Sequence, residues 1–453
     1  MKVLFCSSEV VPFAKTGGLA DVSGALPQAL EKEGAEVKVA LPGYRSAKAH
    51  SPKMGKDIEV YLVQNDKYFD RKELYGTSSG DYPDNLERFA FFCKQTLLLL
   101  KEKGFCPDII HCNDWQSALI PVYLKTNFKD DDFFKKTKVI FTIHNLAYQG
   151  VFPQDEFAKT DLDKQLFNMH ALEFYGKANL LKGGLVFSRF ITTVSPTYAQ
   201  QIQSVKFGCG LDGVLRKRKK DLSGIINGLD YHIWDPQQDN KIFQKYGRDD
   251  LGDKYINKEK LQQELNLPVD RNIPLLGIVT RLASQKGIEL IISALNKKMP
   301  KLNLQFVLLG TGDEKYHHQL EKIMQRGYKN ISISLRFDAV LARKIYAGCD
   351  MFLMPSYYEP CGLGQLISLK YGTIPIGRKT GGLADTIIDA QNGFLFEKYS
   401  PGEMMRAIMR ALKLYENREK WRSLMLKAMD CDFSWEASAK KYIELYGQAL
   451  KEV

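Results

Sequence analysis

The sequence predicts an α/β protein with two doubly wound domains, and three observations lead to this prediction. Short apolar strands alternate with helical segments, which is typical of parallel sheets covered by helices. The alternation stops in a polar stretch after about residue 235 and then restarts. The length of 453 residues suits two large α/β domains. We therefore expect two similar halves, each with its own parallel sheet.

The first half opens with a buried strand at Lys2–Cys6. A helix follows from about Ala20 to Glu33, and Gly34 is a typical helix stop. The same rhythm then recurs along the chain. Further strands are predicted at Glu36–Leu41, Asp108–His111, Lys138–Ile143 and Phe190–Val194, the last followed by a helix that opens at Pro196.

A stretch rich in Asp, Gln, Lys and Asn separates the halves. We place the boundary near residue 240, between Asp235 and Phe243, so that residues 1–240 form an N-terminal domain and residues 241–433 a C-terminal domain. Residues 434–453 predict a helix, because apolar side chains recur there at helix-face spacing. Strands of the second half are predicted at Leu275–Thr280, Gln305–Leu309, Ile331–Ser334, Met351–Met354 and Ile374–Ile376.

Composition excludes several classes of protein. Apolar residues make up 44% of the chain and charged residues 26%, which is ordinary for a globular protein. There is no run of 18 apolar residues and no long apolar region at the N-terminus, so we expect a soluble cytoplasmic protein. The eight cysteines are scattered and form no CxxC pair, which argues against a metal ribbon or a disulfide framework.

The net charge of +11 suits an anionic ligand, such as a sugar nucleotide or a nucleic acid. The densest basic run spans Arg216–Lys220. It could bind nucleic acid, or it could be the solvated end of a helix that starts near Leu211. The solvated helix end is favoured because no aromatic side chains interleave with the cations. We therefore expect no nucleic-acid partner.

One heptapeptide, Lys-Thr-Gly-Gly-Leu-Ala-Asp, occurs twice, at residues 15–21 and 379–385. Each copy precedes a predicted helix, and each lies in a different half. Paired glycines before a helix let backbone N–H groups approach a phosphate, and the lysine adds a full charge. The alternative is a tight turn into a helix. Because there are two copies, we favour a shared anionic ligand in a cleft between the domains, at the carboxyl ends of the strands.

Charged residues follow two predicted strands of the second half. Arg281 and Lys286 lie just past the strand that ends at Thr280, where two cations could clamp a diphosphate; alternatively, they belong to a surface loop. Glu359 opens the segment 359–365, in which glycines expose backbone amides. This carboxylate could hold sugar hydroxyls and stabilise charge at an anomeric carbon, or it could be a solvated loop residue.

The first half offers His144, directly after the predicted strand 138–143. A lone histidine is often structural, but its place at the carboxyl end of a strand favours a function equally well. Asp114 and Trp115 follow the strand 108–111. They could be a carboxylate with a sugar-stacking aromatic, or a helix cap with a core aromatic.

At these residues the sequence resembles the bacterial glycogen synthases and plant starch synthases, retaining glucosyltransferases of the glycosyltransferase B fold. That fold consists of two Rossmann-like domains that face a deep cleft. The resemblance runs nearly end to end. The matching segments include residues 8–9, 15–22, 82–89, 142–145, 193–198, 226–230, 280–282, 285–287, 355–356, 359–363 and 371–375.

The resemblance implies transfer of glucose from ADP-glucose to the non-reducing end of an α-1,4-glucan such as glycogen, with no metal and no cofactor. Three alternatives stay open. The donor could be UDP-glucose, because adenine and uracil both stack on an aromatic ring. The enzyme could be another B-fold glycosyltransferase with a small acceptor. A non-catalytic glucan-binding protein is the third alternative, although it would need none of the proposed catalytic residues.

The resemblance also implies roles by position. The catalytic roles, which involve the diphosphate or the transferred glucose, fall on Lys15, His144, Arg281, Lys286 and Glu359. Donor-binding roles fall on Gly17, Gly18, Asp21, Asn227, Phe337, Cys361, Gly362, Leu363 and Gly364, with Phe337 stacking on the base. Acceptor-binding roles fall on Glu9, Asp114, Trp115 and Asn145. The final helix should return to the N-terminal domain.

Three positions depart from the family pattern. Gly364 stands where the family usually has Thr, so a hydroxyl contact to phosphate is lost while an amide contact survives. Residues 113–116 read Asn-Asp-Trp-Gln instead of His-Asp-Trp-His. After the stacking aromatic, Asp338-Ala339 replaces the usual Asp-Glu. None of these changes removes a proposed catalytic group.

Overall fold

The computed structural model describes residues 1–55, 57–77 and 79–451, which divide into two compact units. The first unit contains residues 1–228 and the C-terminal segment from Ser434. The second unit is Leu229–Phe433. Each unit is built around its own cluster of buried apolar side chains.

The first unit begins with a strand and alternates strands with helices. Its strands are β1 (Lys2–Cys6), β2 (Glu36–Pro42), β3 (Lys53–Met54), β4 (Ile58–Val63), β5 (Gly76–Thr77), β6 (Gly80–Asp81), β7 (Ile109–Asn113), β8 (Lys138–Ile143), β9 (Val151–Pro153), β10 (Glu173–Phe174), β11 (Lys177–Asn179), β12 (Phe190–Thr193) and β13 (Leu222–Gly224). Its helices are α1 (Gly18–Lys32), α2 (Asp66–Phe69), α3 (Asn85–Glu102), α4 (Leu119–Lys125), α5 (Leu180–Phe187), α6 (Pro196–Gln201) and α7 (Asp212–Lys217).

The main sheet of this unit has the order β13-β12-β8-β7-β1-β2-β4-β3. Its neighbouring strands are parallel, except for the antiparallel pair of β3 and β4. Their carboxyl ends therefore meet at one edge of the sheet, and polar side chains follow several of them. Glu9 follows β1, Asp114 follows β7 and His144 follows β8. The topology thus brings together residues that lie far apart in sequence.

The second unit repeats this construction with an all-parallel sheet of order β16-β15-β14-β17-β18-β19. The strands are β14 (Leu275–Leu282), β15 (Gln305–Gly312), β16 (Ile331–Ser334), β17 (Met351–Met354), β18 (Ile374–Arg378) and β19 (Phe394–Phe396). The helices are α8 (Lys254–Glu264), α9 (Ile288–Lys297), α10 (Glu314–Met324), α11 (Ala339–Gly348), α12 (Gly364–Lys370), α13 (Gly381–Thr386), α14 (Pro401–Tyr415) and α15 (Arg418–Met429).

The predicted parallel, doubly wound sheets are confirmed, with one local correction. β14 continues to Leu282, pairing Arg281 with Thr311 of β15. Arg281 was expected just past this strand and instead lies in its last residues. A polar side chain near the carboxyl end does not stop a strand whose backbone partner continues beside it.

The division between the units lies at Gly228–Leu229 and not at residue 240. The segment 229–240 belongs to the second unit because its side chains pack there. The Asp239 carboxylate accepts hydrogen bonds from Arg343, at 2.8 Å, and from the Tyr371 hydroxyl, at 2.6 Å. A polar composition therefore did not mark a linker here, since Asp239 is paired with groups of the second unit.

The last helix, α16 (Trp435–Lys451), packs on the first unit. Lys32 of α1 pairs with Glu436 at 2.9 Å. Deeper in the unit, the Tyr446 hydroxyl lies 2.6 Å from Nδ1 of His111, which is on β7. Helix α16 is therefore part of the core that surrounds β1 and β7.

Two further findings concern the described part of the chain. None of its helices combines the length and the apolar character that a bilayer crossing requires. The basic run at 216–220 is partly engaged in structure: Arg218 donates to the carbonyls of Ser188 and Arg189, both at 3.0 Å, just past α5. Arg216 pairs with Asp212 one helical turn earlier.

Candidate active site

A cavity of about 230 Å³ lies at the carboxyl ends of β14 and β17 in the second unit. It brings together six of the residues singled out in the sequence. These lining residues are Arg281, Lys286, Glu359, Gly362, Leu363 and Gly364. Cys361, predicted with them, is buried beside the cavity and outside its lining.

The centre of this cavity is an ion pair between Lys286 and Glu359. The Lys286 ammonium lies 2.6 Å from Oε2 of Glu359, which also accepts a hydrogen bond from the Ser356 hydroxyl at 2.9 Å. Glu359 is only 5% exposed. A carboxylate in this position is held by charge and by hydrogen bonding, so its orientation is fixed before a ligand arrives. It is not the solvated loop residue of the alternative interpretation.

The loop that carries Glu359 is held from behind by β18. Arg378, at the end of that strand, donates from Nε to the Ser356 carbonyl at 2.8 Å and also to the Tyr357 carbonyl. Sequence reasoning gave no role to Ser356, although residues 355–356 match the family pattern, or to Arg378, which lies two residues past the predicted strand Ile374–Ile376. The hydrogen-bond partners of Arg378 lie about 20 residues earlier in the chain.

The second copy of the heptapeptide does not form an anion cradle, which corrects the prediction. The Gly382 amide donates to the Glu359 carbonyl at 3.0 Å. A Cβ on Gly381 would lie 1.8 Å from that same oxygen, and one on Gly382 would lie 2.0 Å from the Cys361 carbonyl. Lys379 is exposed and pairs with Glu397. The paired glycines here let the chain pass directly beneath the Glu359 loop.

The backbone of the Glu359 loop is also shaped by a glycine in the left-handed region. Gly362 has φ +80°, a conformation that other residues rarely adopt. The Gln365 side chain donates to the carbonyls of Cys361, at 3.0 Å, and Gly362, at 2.9 Å. This leaves the turn from Gly362 to Gly364 on the wall of the cavity at the start of α12.

Phe337 stands in the loop between β16 and α11 with 85% of its surface exposed. An isolated, exposed ring of this kind is available for stacking on a planar ligand. The neighbouring loop is fixed, because the Asp338 carboxylate caps α11 through the amides of Val340 and Leu341. The placement is compatible with the predicted base contact.

In the first unit, Glu9 organises the first copy of the heptapeptide. Its buried carboxylate accepts hydrogen bonds from the amides of Thr16, at 2.6 Å, and Gly17, at 3.0 Å. The Tyr75 hydroxyl donates to its other oxygen at 2.9 Å. Unlike the second copy, this one is open, because a Cβ on Gly17 or Gly18 would have no neighbour within 4 Å. Glu9 therefore shapes a loop whose backbone faces solvent.

The heptapeptide lysine is paired within its own loop. Lys15 lies 2.6 Å from Asp21, and both side chains are exposed. Such an exposed pair contributes little to stability, so the ammonium can exchange partners readily. Asn227, which is also in this unit, is buried, and its Oδ1 has no hydrogen-bond partner among the residues described.

Both the backbone and the ring of His144 are held by hydrogen bonds. Its backbone amide donates to Oδ1 of Asp114 at 2.7 Å, and its Nε2 lies 2.9 Å from Oδ1 of Asn113. The Asn113 amide group donates to the Cys6 carbonyl at 2.9 Å, which orients that side chain. Nε2 must therefore carry the proton, and Nδ1 is left as an acceptor. Burial lowers the pKa of His144 to about 3, so the ring is neutral.

Asp114 is a buried carboxyl in an unusual backbone conformation. Its φ is +55°, which costs roughly 1–3 kcal/mol for a residue other than glycine. Burial raises its pKa to about 7, although the amides of His144 and Asn145 act in the opposite direction. The hydrogen bond from the His144 amide to the Asp114 carboxyl joins the ends of β7 and β8 and fixes the His144 backbone. Asn113, which completes this arrangement, was missed as a site residue.

Trp115 and Asn145 are engaged in local packing. The Trp115 ring meets Phe89 edge-on with centroids 4.9 Å apart, and a Cβ on Gly150 would lie 2.4 Å from it. The Asn145 side chain accepts from the Ala147 amide at 3.1 Å. Of the two interpretations of Trp115, the geometry favours the core aromatic over a free sugar-stacking ring.

Comparison with known proteins places this chain. It matches the starch synthase catalytic domain family over residues 2–217 and the glycosyl transferases group 1 family over residues 257–424. A glycogen synthase of Geotalea uraniireducens is 48% identical, and the match covers 99% of each chain. One of Thermotoga maritima is 45% identical, and the match covers 100% of each. The chain belongs to the glycogen synthase family. The predicted function, a glycogen synthase that acts as a retaining glucosyltransferase, is confirmed.

Solved structures agree with this membership. The catalytic domain of starch synthase IV from Arabidopsis thaliana, bound to ADP and acarbose, superposes with a TM-score of 0.89 at 33% identity, covering 99% of each chain. A sucrose-phosphate synthase from Thermosynechococcus elongatus has a TM-score of 0.64 at 18% identity, which bears on the fold alone. The glycosyltransferase B fold predicted for this glycogen synthase is thereby confirmed.

Proposed function

We propose that this glycogen synthase transfers glucose from ADP-glucose to the non-reducing end of an α-1,4-glucan. The observation that carries the proposal is the buried Lys286–Glu359 pair in a cavity that Arg281 also lines. A nucleoside diphosphate sugar needs cations for its phosphates and an acceptor of hydrogen bonds for its sugar. The starch synthase IV structure was solved with ADP, which supports the adenine nucleotide as the donor.

In the proposed reaction, the bond between the anomeric carbon and the diphosphate oxygen breaks, and a bond to the acceptor O4 forms on the same face. The proton of the O4 hydroxyl passes to the departing phosphate, so charge and atoms balance. Arg281 and Lys286 stabilise the negative charge that develops on the leaving diphosphate. Glu359 accepts hydrogen bonds from the glucose and stabilises positive charge at its anomeric carbon.

The remaining roles are proposed from the same family positions. Nδ1 of His144 accepts a hydrogen bond from a glucose hydroxyl, which its fixed neutral ring permits. The open backbone at Gly17 and Gly18, with Lys15, meets the donor diphosphate. Asp21 and Asn227 contact the nucleotide.

On the donor side, Phe337 stacks on the base. The amides of Gly362 to Gly364 bind phosphate and sugar oxygens, with Cys361 behind them. On the acceptor side, Glu9, Asp114, Trp115 and Asn145 lie close to the glucan. The predicted cytoplasmic location also stays a prediction.

The test is nucleotide release by the purified chain with glycogen, supplied with ADP-glucose or UDP-glucose in parallel. We expect faster release from ADP-glucose, with labelled glucose incorporated into glycogen, and loss of both in Glu359→Ala. Faster release from UDP-glucose would replace the proposed donor, since an exposed Phe337 ring can stack on either base. Transfer to a small sugar but not to glycogen would replace the proposed acceptor.

A further inference from the structure

The donor cavity contains a tyrosine that the reaction outlined above does not use. Tyr346, near the end of α11, is 5% exposed and lines the cavity together with Arg281 and Lys286. Among the residues that the structure describes, its hydroxyl makes no hydrogen bond to another group, and its oxygen is accessible from the cavity. A phenol donor that faces a cavity and is not used within the protein is available to a ligand there.

The ring of Tyr346 is fixed by its neighbours. Its centroid lies 4.7 Å from that of Phe352, on β17, and 5.9 Å from that of Trp234, which meets it edge-on. Behind it, the buried Lys254 donates to the Tyr346 carbonyl at 3.3 Å and to that of Ala347 at 2.8 Å. The hydroxyl therefore holds one position on the wall of the cavity without any bond of its own.

That position lies beside a residue without a side chain. A Cβ placed on Gly364 would be 3.3 Å from the Tyr346 hydroxyl, 3.0 Å from the Phe352 ring and 3.3 Å from the Met354 sulfur. The phenol oxygen thus lies next to the place that a Cβ at 364 would take. At this point of the cavity wall, the hydroxyl therefore comes from Tyr346 on α11, because Gly364 at the start of α12 has no side chain.

The surroundings favour an anion as its partner. Arg281 has no ion-pair partner in the described part of the chain, while Lys286 is already neutralised by Glu359. The wall thus carries a net positive charge. Burial raises the pKa of the Tyr346 hydroxyl, so it stays protonated and acts as a donor. Phosphate oxygens accept hydrogen bonds and offer no proton at neutral pH, which matches this set of groups.

We propose that Tyr346 is a binding residue for the donor diphosphate, and that its hydroxyl supplies the hydrogen bond that Gly364 cannot. The inference rests on the proposed function, because it assumes that the cavity receives a nucleoside diphosphate sugar. It adds a residue on α11 to the groups that contact phosphate.

The first experiment measures ADP and UDP binding to the full chain by calorimetry, for the wild type and for Tyr346→Phe. Loss of a hydrogen bond to a charged group should weaken ADP binding about tenfold. The KM for ADP-glucose should rise by a similar factor. Tyr328→Phe, on the same unit and away from the cavity, is the matched control and should bind like the wild type.

A second variant separates a binding role from a packing role. Gly364→Ser in the Tyr346→Phe background places a hydroxyl next to the space that the phenol oxygen vacated. It should restore most of the lost ADP affinity. The same serine in the wild type should not improve binding, because it would crowd the tyrosine hydroxyl.

The outcomes are distinguishable. Equal ADP binding by Tyr346→Phe and by a wild type that transfers glucose would overturn the role of Tyr346 alone. A loss that the serine does not restore would assign the effect to packing and would also overturn it. A wild type that binds ADP through Tyr346 but transfers no glucose to glycogen would overturn the proposed function alone. A wild type that binds neither nucleotide would overturn both.

Discussion

At the scale of single residues, the pair of Lys286 and Glu359 combines a proposed catalytic role with a structural cost. Removing one partner of a buried pair leaves the other charge uncompensated. We expect Lys286→Met to lower the free energy of unfolding by about 3 kcal/mol, at the low end of the range for buried pairs, because the lysine keeps 19% of its side chain exposed. Urea denaturation measures this loss.

Two further variants complete that test. Lys286→Met/Glu359→Gln removes both charges and should recover most of the stability while glucose transfer stays absent. Lys379→Met breaks an exposed pair with Glu397 and should cost less than about 1 kcal/mol. If Lys286→Met and Lys379→Met lose equal stability, the Glu359 carboxylate does not depend on Lys286 as the geometry indicates.

A second residue-scale prediction concerns acid. Burial lowers the pKa of both His111 and His144 to about 3, so the unfolded chain binds more protons than the folded chain below pH 6.5. Each histidine therefore lowers stability as pH falls. Asp114, with its pKa raised to about 7, acts in the opposite direction between pH 7 and 3.8.

Asp114→Asn removes this opposing group. Unfolding free energies measured between pH 6.5 and 4.5 should then fall more steeply with acidification in the variant, by about 1.4 kcal/mol per pH unit. All other carboxylates contribute equally to both proteins and cancel in the comparison. Parallel pH profiles would contradict a raised pKa at Asp114.

At the scale of elements, the heptapeptide shows that one sequence can serve two purposes. In the first copy, the glycines face open space. In the second copy, they lie against the carbonyls of the Glu359 loop. Gly382→Ala should therefore lower stability by roughly 1–3 kcal/mol through overpacking and should displace Glu359, reducing glucose transfer more than tenfold.

Gly17→Ala is the matched control within the same motif. A methyl group there meets nothing within 4 Å, and its φ of −149° is open to any residue, so stability should change by less than about 0.5 kcal/mol. Thermal unfolding compares the stability of the two variants. Equal losses of stability in the two alanine variants would contradict the different environments of the two copies.

These elements show which features sequence can predict. The strands at Lys2–Cys6, Lys138–Ile143 and Met351–Met354 were predicted at their observed bounds, because a strand buried on both faces is largely a continuous apolar run. The edge strand Ile331–Ser334 was also predicted at its bounds, from its alternation of isoleucine and serine. The environment of the second heptapeptide could not be predicted. What its glycines meet is a loop about 20 residues earlier, and only the pairing of β17 with β18 brings the two together.

The candidate site divides in the same way. The family motifs pointed to Arg281, Lys286 and Glu359, whose side chains do line one cavity. The positioning groups Asn113 and Arg378 were missed, because their importance comes from backbone carbonyls and side chains in neighbouring strands. A single sequence does not show which strands are neighbours. It therefore reveals the residues that would act on a ligand more readily than the residues that hold them in position.

At the scale of the whole molecule, helix α16 belongs to the core of the first unit. Tyr446 on α16 donates or accepts a hydrogen bond at Nδ1 of the buried His111, whose Nε2 lies 2.6 Å from the Thr142 hydroxyl. Strands β7 and β8 are thus tied to a helix more than 300 residues later in sequence. The two units have separate cores, so a defect in one should be confined to it.

Hydrogen exchange with Tyr446→Phe tests this independence. The variant leaves a buried ring nitrogen unpaired, which should cost about 1–3 kcal/mol and lower the protection of amides in β1, β7 and β8 but not in β14 to β18. Tyr415→Phe provides the reverse case. Its hydroxyl pairs with the buried Lys258 at 2.9 Å in the second unit, so protection should fall there instead. Equal losses in both units from either variant would mean that the chain unfolds as one cooperative body, with the C-terminal helix stabilising all of it.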